Sequence, residues 1–158
     1  MARKKWNNNA INLARKLDKL IVDHYLNPRG SRITKEIVGG LKKGKDIDGN
    51  NFKPLSDFTI KSKGHDRILD DSGSLKNSVR KIPATESNPQ FEIKVTGKAT
   101  QYGGKHNKEG GFKSESGHQV PQRKWFGISK DLQSGGKEHK KFANEARLRI
   151  KTTWAKGK

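Results

Sequence analysis

The chain has 158 residues, no cysteine, 29% hydrophobic residues and a formal net charge of +19. The lack of cysteine excludes disulfides, thiolate metal sites and cysteine nucleophiles, and no apolar run reaches the length of a transmembrane helix. The low apolar content predicts a small core that is completed against partner molecules or flanked by disordered ends. The charge predicts a polyanionic partner, either nucleic acid or an acidic protein surface.

The length is that of one ordinary domain, and we expect a single domain over residues 1–158 with a basic N-terminal tip. The tip, Met-Ala-Arg-Lys-Lys-Trp, is not followed by the apolar segment of a secretory signal. We therefore expect the protein to be made in a cytoplasm and to stay there.

The first 44 residues predict two helices. Apolar side chains recur at helical spacing over residues 7–25, which is typical of a helix that packs one face on the core. Pro28 should end this helix, because proline cannot continue the hydrogen-bond ladder. Ser31 is a candidate N-cap for the second helix, and Gly44 should end it. The apolar positions of the first helix are Ala10, Leu13, Ala14, Leu17, Leu20 and Ile21.

A turn-rich stretch follows, in which Asp46, Asp48 and Asn50 alternate with other residues. This alternation invites comparison with a calcium-binding loop, but the glycine of that template is misplaced and Pro54 interrupts it. Aspartate, asparagine and glycine also form turns without any metal. We interpret the stretch as a turn.

The middle of the chain predicts short elements. Ser56 can cap a short helix through Lys61, and the cluster at 70–74 can cap another that carries Leu75 and Val79. Apolar and polar side chains alternate over residues 91–95, which is the clearest strand pattern in the chain. Residues 99–102 are a candidate continuation of the same sheet.

Residues 103–117 are predicted to form a flexible, basic loop. The stretch consists mostly of glycine, lysine, serine and glutamate, and it is too rich in glycine for regular structure. His106-Asn107 followed by His118 lacks the spacing of an HNH nuclease. In an oligomeric ring such a loop could reach a neighbouring subunit or line a channel that holds DNA. The candidate contact residues are Lys105, Lys108 and Lys113.

The last part of the chain predicts an extended segment and a long helix. Val120-Pro121 is extended, because proline disfavours the helical conformation of the residue before it. Arg123 lies among hydrophobic residues, and its planar group suits a carboxylate partner within the fold or on a neighbouring molecule. After two glycines, a helix should run to about Lys156, with Leu148 outside its apolar face as a candidate intersubunit contact. That face carries Phe142, Ala143, Ala146, Ile150 and Trp154.

The ordered set of these motifs resembles the phage virion morphogenesis family, the tail completion or neck proteins of tailed bacteriophages. The resemblance lies in Tyr102, His106-Asn107, a glycine-rich stretch, Val-Pro-Gln-Arg-Lys-Trp-Phe-Gly-Ile-Ser at 120–129 and a C-terminal helix. Upstream, Phe52-Lys-Pro-Leu55 and Ile68-Leu69 with Gly73 and Leu75 look like the earlier motifs of the family, in the same order. The resemblance covers the chain from residue 52 onward, and the sequence departs from the family pattern at Asn107, Lys124 and Trp125.

The resemblance implies a structural virion protein at the head–tail junction, which assembles as a homo-oligomeric, hexameric ring in the host cytoplasm. Other neck and tail proteins, and DNA in the lumen, are the implied neighbours. No catalysis, cofactor, metal or membrane is implied. The residues that the resemblance marks as structural are Leu55, Leu69, Gly73, Leu75, Tyr102, His106, Pro121, Arg123, Trp125, Phe126 and Gly127.

Two other classes of function remain open from the residues alone. A basic nucleic-acid-binding protein fits the charge, although the sequence contains no zinc-finger, helix-turn-helix or RNP pattern. An enzyme would need a convergent acid–base or metal constellation, which the sequence does not offer. For the fold we predict an α+β domain, with a small, mostly antiparallel sheet near 81–96 and 118–129 packed against the N- and C-terminal helices.

Overall fold

The computed structural model describes residues 8–69 and 72–156. Their α+β arrangement confirms the predicted class: helices at both ends flank two antiparallel sheets of two strands each. Within these residues, no helix combines the length and the apolarity that crossing a membrane requires. The elements are α1 (Asn8–Ile21), a π-helical segment (Val22–Leu26), α2 (Asn27–Lys43), α3 (Asp57–Lys63), α4 (Ser74–Ser78), β1 (Val79–Ile82), β2 (Glu92–Val95), α5 (Ala99–Asn107), β3 (Phe112–Lys113), β4 (Gln119–Val120) and α6 (Lys137–Lys156).

The first two helices form one continuous run, so the prediction that Pro28 ends the first helix was wrong. Pro28 lies in the first turn of α2, directly after the π-helical segment. The wider π-turn makes a bond from the Asn27 amide to the Val22 carbonyl, and it accommodates a proline ring that would clash in a regular α-helix. Ser31 is inside α2, where its hydroxyl donates to the Asn27 carbonyl, and is therefore not an N-cap. Gly44 ends α2 in the left-handed conformation, as predicted.

The prediction that α1 packs its apolar face on the core was right only at its C-terminal end, where Leu20 is buried. Residues 11–19 are all exposed, and Leu13 and Leu17, at the centre of the apolar face, are 52% and 43% exposed. Burial begins at the end of the helix, with Leu20 and then Val22 of the π-helical segment, and the main core cluster takes Ile33, Ile37 and Leu41 from α2. An amphipathic pattern predicts that the apolar face of a helix is buried, but it does not identify the surface that buries it.

A single cluster of buried side chains joins α2 to the rest of the chain. Gly30 allows this packing on its side of α2, because a Cβ there would lie 2.8 Å from the ring of Phe91. Asn27 fixes the same region, since its side chain donates to the carbonyl of Ala84 at 3.0 Å and accepts from its amide at 2.8 Å. The buried cluster consists of Ile33, Ile37, Leu41, Phe52, Leu69, Leu75, Val79, Trp125 and Leu132.

The short elements in the middle of the chain follow the prediction except at Val79, which begins β1 instead of belonging to α4. The Ser56 hydroxyl accepts a hydrogen bond from the Thr59 amide and caps α3, which extends to Lys63. Gly73, in the left-handed conformation, precedes α4. Asp70 and Asp71, which were assigned to the capping cluster, lie outside the described residues.

The sheet differs from the prediction. β1 and β2 pair as expected, with Val79 opposite Val95, and the strand predicted at 91–95 is confirmed as β2. The segment 118–129 does not join them, because its only strand residues pair with β3 in a separate hairpin. Residues 99–102 are helical rather than extended.

The predicted loop at 103–117 was also partly wrong. Residues 103–107 complete α5, and the following residues contain β3 and the turn that leads to β4. Two glycines within a helix are tolerated here because α5 packs closely on other parts of the chain, an interaction that local propensity does not record. The C-terminal helix, by contrast, begins and ends near the predicted positions.

Candidate functional site

The two segments that carry the family resemblance pack directly on each other. The Arg123 amide donates to the His106 carbonyl at 2.8 Å, and the Trp125 indole Nε1 donates to the Gly103 carbonyl at 2.8 Å. The amide of Phe126 donates to the Asn107 side-chain oxygen at 3.1 Å. Three consecutive bonds therefore hold the extended segment 123–126 along the C-terminal half of α5.

Gly103 makes this close approach possible. Trp125 is only 2% exposed, and a Cβ on Gly103 would lie 2.5 Å from its ring and 2.9 Å from a methyl group of Leu75. Real side-chain atoms do not approach this closely, so the site needs a residue without a side chain. Gly104 faces open space and carries no such constraint.

His106 and Arg123 form a buried polar pair at the centre of the unit. His106 is 5% exposed, and its Nδ1 lies 3.2 Å from a terminal nitrogen of Arg123. Because a guanidinium can only donate, Nδ1 must accept, and the ring proton of the neutral imidazole is then on Nε2. Burial, together with the charges of Arg123 and Lys63, lowers the pKa of His106 to about 4.

Arg123 does not have the carboxylate partner that we expected within the fold: none of the described carboxylates pairs with it. It is 4% exposed, and its Nε has no hydrogen-bond partner among the described residues. Burial lowers the pKa of the Arg123 guanidinium, while Tyr102 opposes that shift. The Nε of Arg123 can therefore donate a hydrogen bond to a further group that enters this site.

A cleft of about 1240 Å³ opens beside the pair. Its walls are α3, the start of α4 with the residues before it, α5 and the β3–β4 hairpin, and its lining combines aliphatic and aromatic side chains with polar ones. Two aromatic side chains stand at its mouth: Phe58 is 81% exposed, and Tyr102 lies edge-on to the His106 ring. The cleft thus combines exposed apolar surface with a buried cation.

The structure brings most of the predicted motif residues to this cleft. Gly73, Trp125, Phe126 and Gly127 lie outside its lining, and the first two are buried. The predicted residues that line it are Leu55, Leu69, Leu75, Tyr102, His106, Pro121 and Arg123.

The lysines of the cleft differ from those chosen in the sequence. Lys105, Lys108 and Lys113 are exposed but lie outside the lining, whereas Lys63 and Lys98 belong to it. Sequence reasoning also overlooked Phe58 as part of a site. The spacing of Phe58 and Lys63 after the Ser56 cap is compatible with one short helix. No feature of the local sequence indicates that this helix, α3, faces α5.

The carboxylates of the 45–51 turn are occupied by hydrogen bonds. Asp46 accepts bonds from the amides of Asp48 and Asn50, which accounts for the alternation seen in the sequence. Asp48 accepts from the Lys130 amide and from the Lys124 ammonium, and these two interactions lower its pKa despite partial burial. Across residues 8–69 and 72–156, no group of three or more metal-ligating side chains is arranged to hold a metal ion.

Comparison with known proteins found no matching family model, no similar curated protein and no similar solved structure.

Proposed function

We propose that this chain is a structural virion protein of a tailed bacteriophage, a tail completion or neck component that acts by assembling into a ring at the head–tail junction. The resemblance of its motifs to the phage virion morphogenesis family motivates the proposal. Their packing supports it, because Gly103, His106, Arg123 and Trp125 contact one another as parts of a scaffold. Ring assembly in the host cytoplasm and a final place in the virion belong to the same proposal.

The observation that carries the proposal is the exposed part of the apolar face of α1, around Leu13 and Leu17. Leu13 and Leu17 lie one helical turn apart, and both are exposed. Adjacent exposed leucines on a helix mark an interaction surface. In a ring, this face packs on a different patch of the next subunit, and repetition of that contact closes the assembly. The resemblance suggests six subunits.

Two other exposed features are consistent with assembly. Leu148 of α6 is 66% exposed and offers a further contact to a neighbour. Lys105, Lys108 and Lys113 are exposed around the end of α5 and on the hairpin. In the ring they face either DNA in the lumen or an acidic neighbouring protein.

The first test is the mass in solution, measured by light scattering over a salt series. The wild-type protein should form a discrete oligomer that persists in high salt. The double variant Leu13→Glu/Leu17→Glu should be monomeric, because carboxylates on this face prevent its burial. The matched control is Asn8→Glu/Asn12→Glu, which adds the same charge to exposed positions on the opposite face and should preserve the oligomer. A monomeric wild type, or an oligomer that survives the leucine changes, would contradict the proposal.

A phage carrying alanine at Lys105, Lys108 and Lys113 tests the role of these lysines. Particle assembly should be impaired, while the isolated variant keeps the wild-type melting temperature because these side chains are exposed. Normal titres of infectious particles would count against contacts at these positions.

A basic nucleic-acid-binding protein is the second candidate, favoured by the net charge of +19. It predicts a monomer that binds duplex DNA and releases it steeply as salt increases, because binding displaces counterions. Light scattering with and without DNA distinguishes the two candidates.

A further inference from the structure

The cleft beside Arg123 has the properties of a binding site rather than of a packing defect. Its volume of about 1240 Å³ exceeds that of ordinary small-ligand pockets. Four separate parts of the chain contribute to its walls, namely α3, the start of α4 with the residues before it, α5 and the β3–β4 hairpin. A groove of this size accommodates several residues of an extended chain.

Every formal charge among the described lining residues is positive. The described lining residues include Lys63, Lys98 and Arg123 but no aspartate or glutamate. Lys98 is exposed at the rim, whereas Arg123 is almost fully buried. The Nε of Arg123 has no partner among the described residues. A terminal nitrogen of the same side chain donates to the neutral imidazole of His106. A buried guanidinium is stabilised strongly by a carboxylate that approaches its free donors.

The apolar part of the lining lies next to this cation. Leu55, Phe58 and Tyr102 provide large side-chain surfaces, and Phe112 and Val120 continue them along the hairpin. Phe58 is the most exposed large hydrophobic residue of the described chain. An occupant must therefore offer a hydrophobic side chain close to a negative charge.

We propose that this cleft binds an extended segment of a partner protein in which hydrophobic residues alternate with acidic ones. The hydrophobic side chain packs between Phe58 and Tyr102, and a neighbouring carboxylate reaches Arg123, with Lys98 attracting further acidic residues at the rim. The proposal goes beyond ring assembly, because it concerns a different surface and holds for a monomer as well.

A peptide fits these features better than a nucleic-acid strand. A strand carries one phosphate per nucleotide and needs a continuous basic track beside stacking aromatic residues. The described lining combines only three lysine and arginine side chains with aliphatic ones, among them Leu55, Leu69 and Leu75. This arrangement matches a segment in which acidic and apolar residues alternate.

The experiment measures fluorescence anisotropy of a labelled octapeptide of alternating leucine and aspartate, titrated with the full chain. The matched peptide has asparagine in place of aspartate. We expect about tenfold weaker binding of the asparagine peptide, because it lacks the charged acceptors for Arg123 and Lys98. Phe58→Ser should weaken the aspartate peptide about tenfold by removing apolar contact area. Leu148→Ser, which truncates an exposed residue outside the cleft, is its control.

Two charge variants complete the test. Lys98→Gln should weaken binding of the aspartate peptide several-fold, whereas Lys35→Gln, which removes an exposed lysine of α2 outside the lining, should not. Arg123→Met should abolish the preference for aspartate over asparagine. If this buried variant does not fold, Phe58→Ser and Lys98→Gln still decide the outcome, because both residues are exposed.

Equal affinity for the two peptides would overturn the proposal, and so would the absence of saturable binding up to ~1 mM peptide. Unchanged binding by Phe58→Ser would place the peptide elsewhere and overturn it too. A single-stranded oligonucleotide that displaces the peptide and is itself weakened by Phe58→Ser would replace the peptide with a nucleic-acid ligand.

Discussion

The carbonyl of Gly103 accepts a hydrogen bond from the indole of Trp125 at 2.8 Å, and the same glycine lies so close to the ring that a Cβ would approach it to 2.5 Å. The hydrogen bond and the missing side chain are two aspects of one contact. The contact fastens the segment that contains Arg123 to the helix that contains His106. It therefore determines the geometry of the buried pair and of one wall of the cleft.

Gly103→Ala should destabilise the protein, while Gly104→Ala should not. Alanine favours a helix over glycine by up to about 1 kcal/mol, and Gly104 has open space for the methyl group. At Gly103 the methyl group must displace Trp125 or Leu75, and overpacking of this kind costs about 1–3 kcal/mol. Urea denaturation of the two variants measures the difference. Equal stabilities would mean that Trp125 moves aside at little cost.

His106 should make the stability depend on pH between about 6.5 and 4. Its pKa is lowered to about 4 in the folded state, so the unfolded chain binds a proton first as the pH falls. The contribution is fully present above the unfolded pKa and decreases as the pH falls through this window, by up to roughly 3 kcal/mol. The free energy of unfolding measured at several pH values for wild type and His106→Gln isolates it. If the free energy of unfolding of His106→Gln depended on pH as the wild type does over this range, the assignment of the effect to His106 would be contradicted.

The turn between α5 and β3 contains a second pair of neighbouring glycines. Both Gly110 and Gly111 have positive φ, so alanine at either position should cost about 1 kcal/mol in backbone strain. A Cβ on Gly111 would also lie 2.1 Å from the Val120 carbonyl oxygen, whereas Gly110 faces open space. Gly111→Ala should therefore be the more destabilising change by a further 1–3 kcal/mol or so, because backbone must shift. Thermal unfolding of the two variants provides the comparison.

Asp48 should contribute stability that acid removes. Its carboxylate accepts the Lys130 amide at 3.1 Å and the Lys124 ammonium at 3.3 Å, and its pKa is lowered as a result. Because the pKa of Asp48 is lower in the folded state, this stabilisation is present above the pKa of the unfolded state. It is lost as the pH falls through the pKa of the folded state. Asp48→Asn should cost about 1 kcal/mol at neutral pH and progressively less in acid. A cost that does not vary with pH would assign the effect to packing instead.

Local signals predicted the local elements of this chain. The Ser56 cap, the left-handed Gly44, the alternation over 91–95 and the C-terminal helix each depend on a few adjacent residues. The prediction at Pro28 was wrong because a π-helical turn precedes the proline and lets the helical run continue through it. Such turns also depend on adjacent residues, but they are rare. The boundaries of such elements follow from short-range chemistry.

The site was predicted only in part, because contacts between distant segments create it. The motif residues of 102–107 and 120–127 were recognised together, but their mutual packing depends on a hydrogen bond across 22 positions. Phe58 and Lys63 join them from a helix more than 30 residues earlier in the chain, and no spacing rule connects the two. Likewise, Arg123 was expected to pair with a carboxylate, and only the folded arrangement places His106 beside it.

The exposure of α1 also has a consequence for hydrogen exchange. An isolated helical segment of this length is only marginally stable in water, so the amides of the exposed residues 11–19 of α1 should exchange rapidly with deuterium in an isolated subunit. The amides of α2, whose face is buried in the core, should exchange far more slowly. Protection of α1 therefore reports directly on whether its apolar face has been covered, and it does so residue by residue in any assembly that contains this chain.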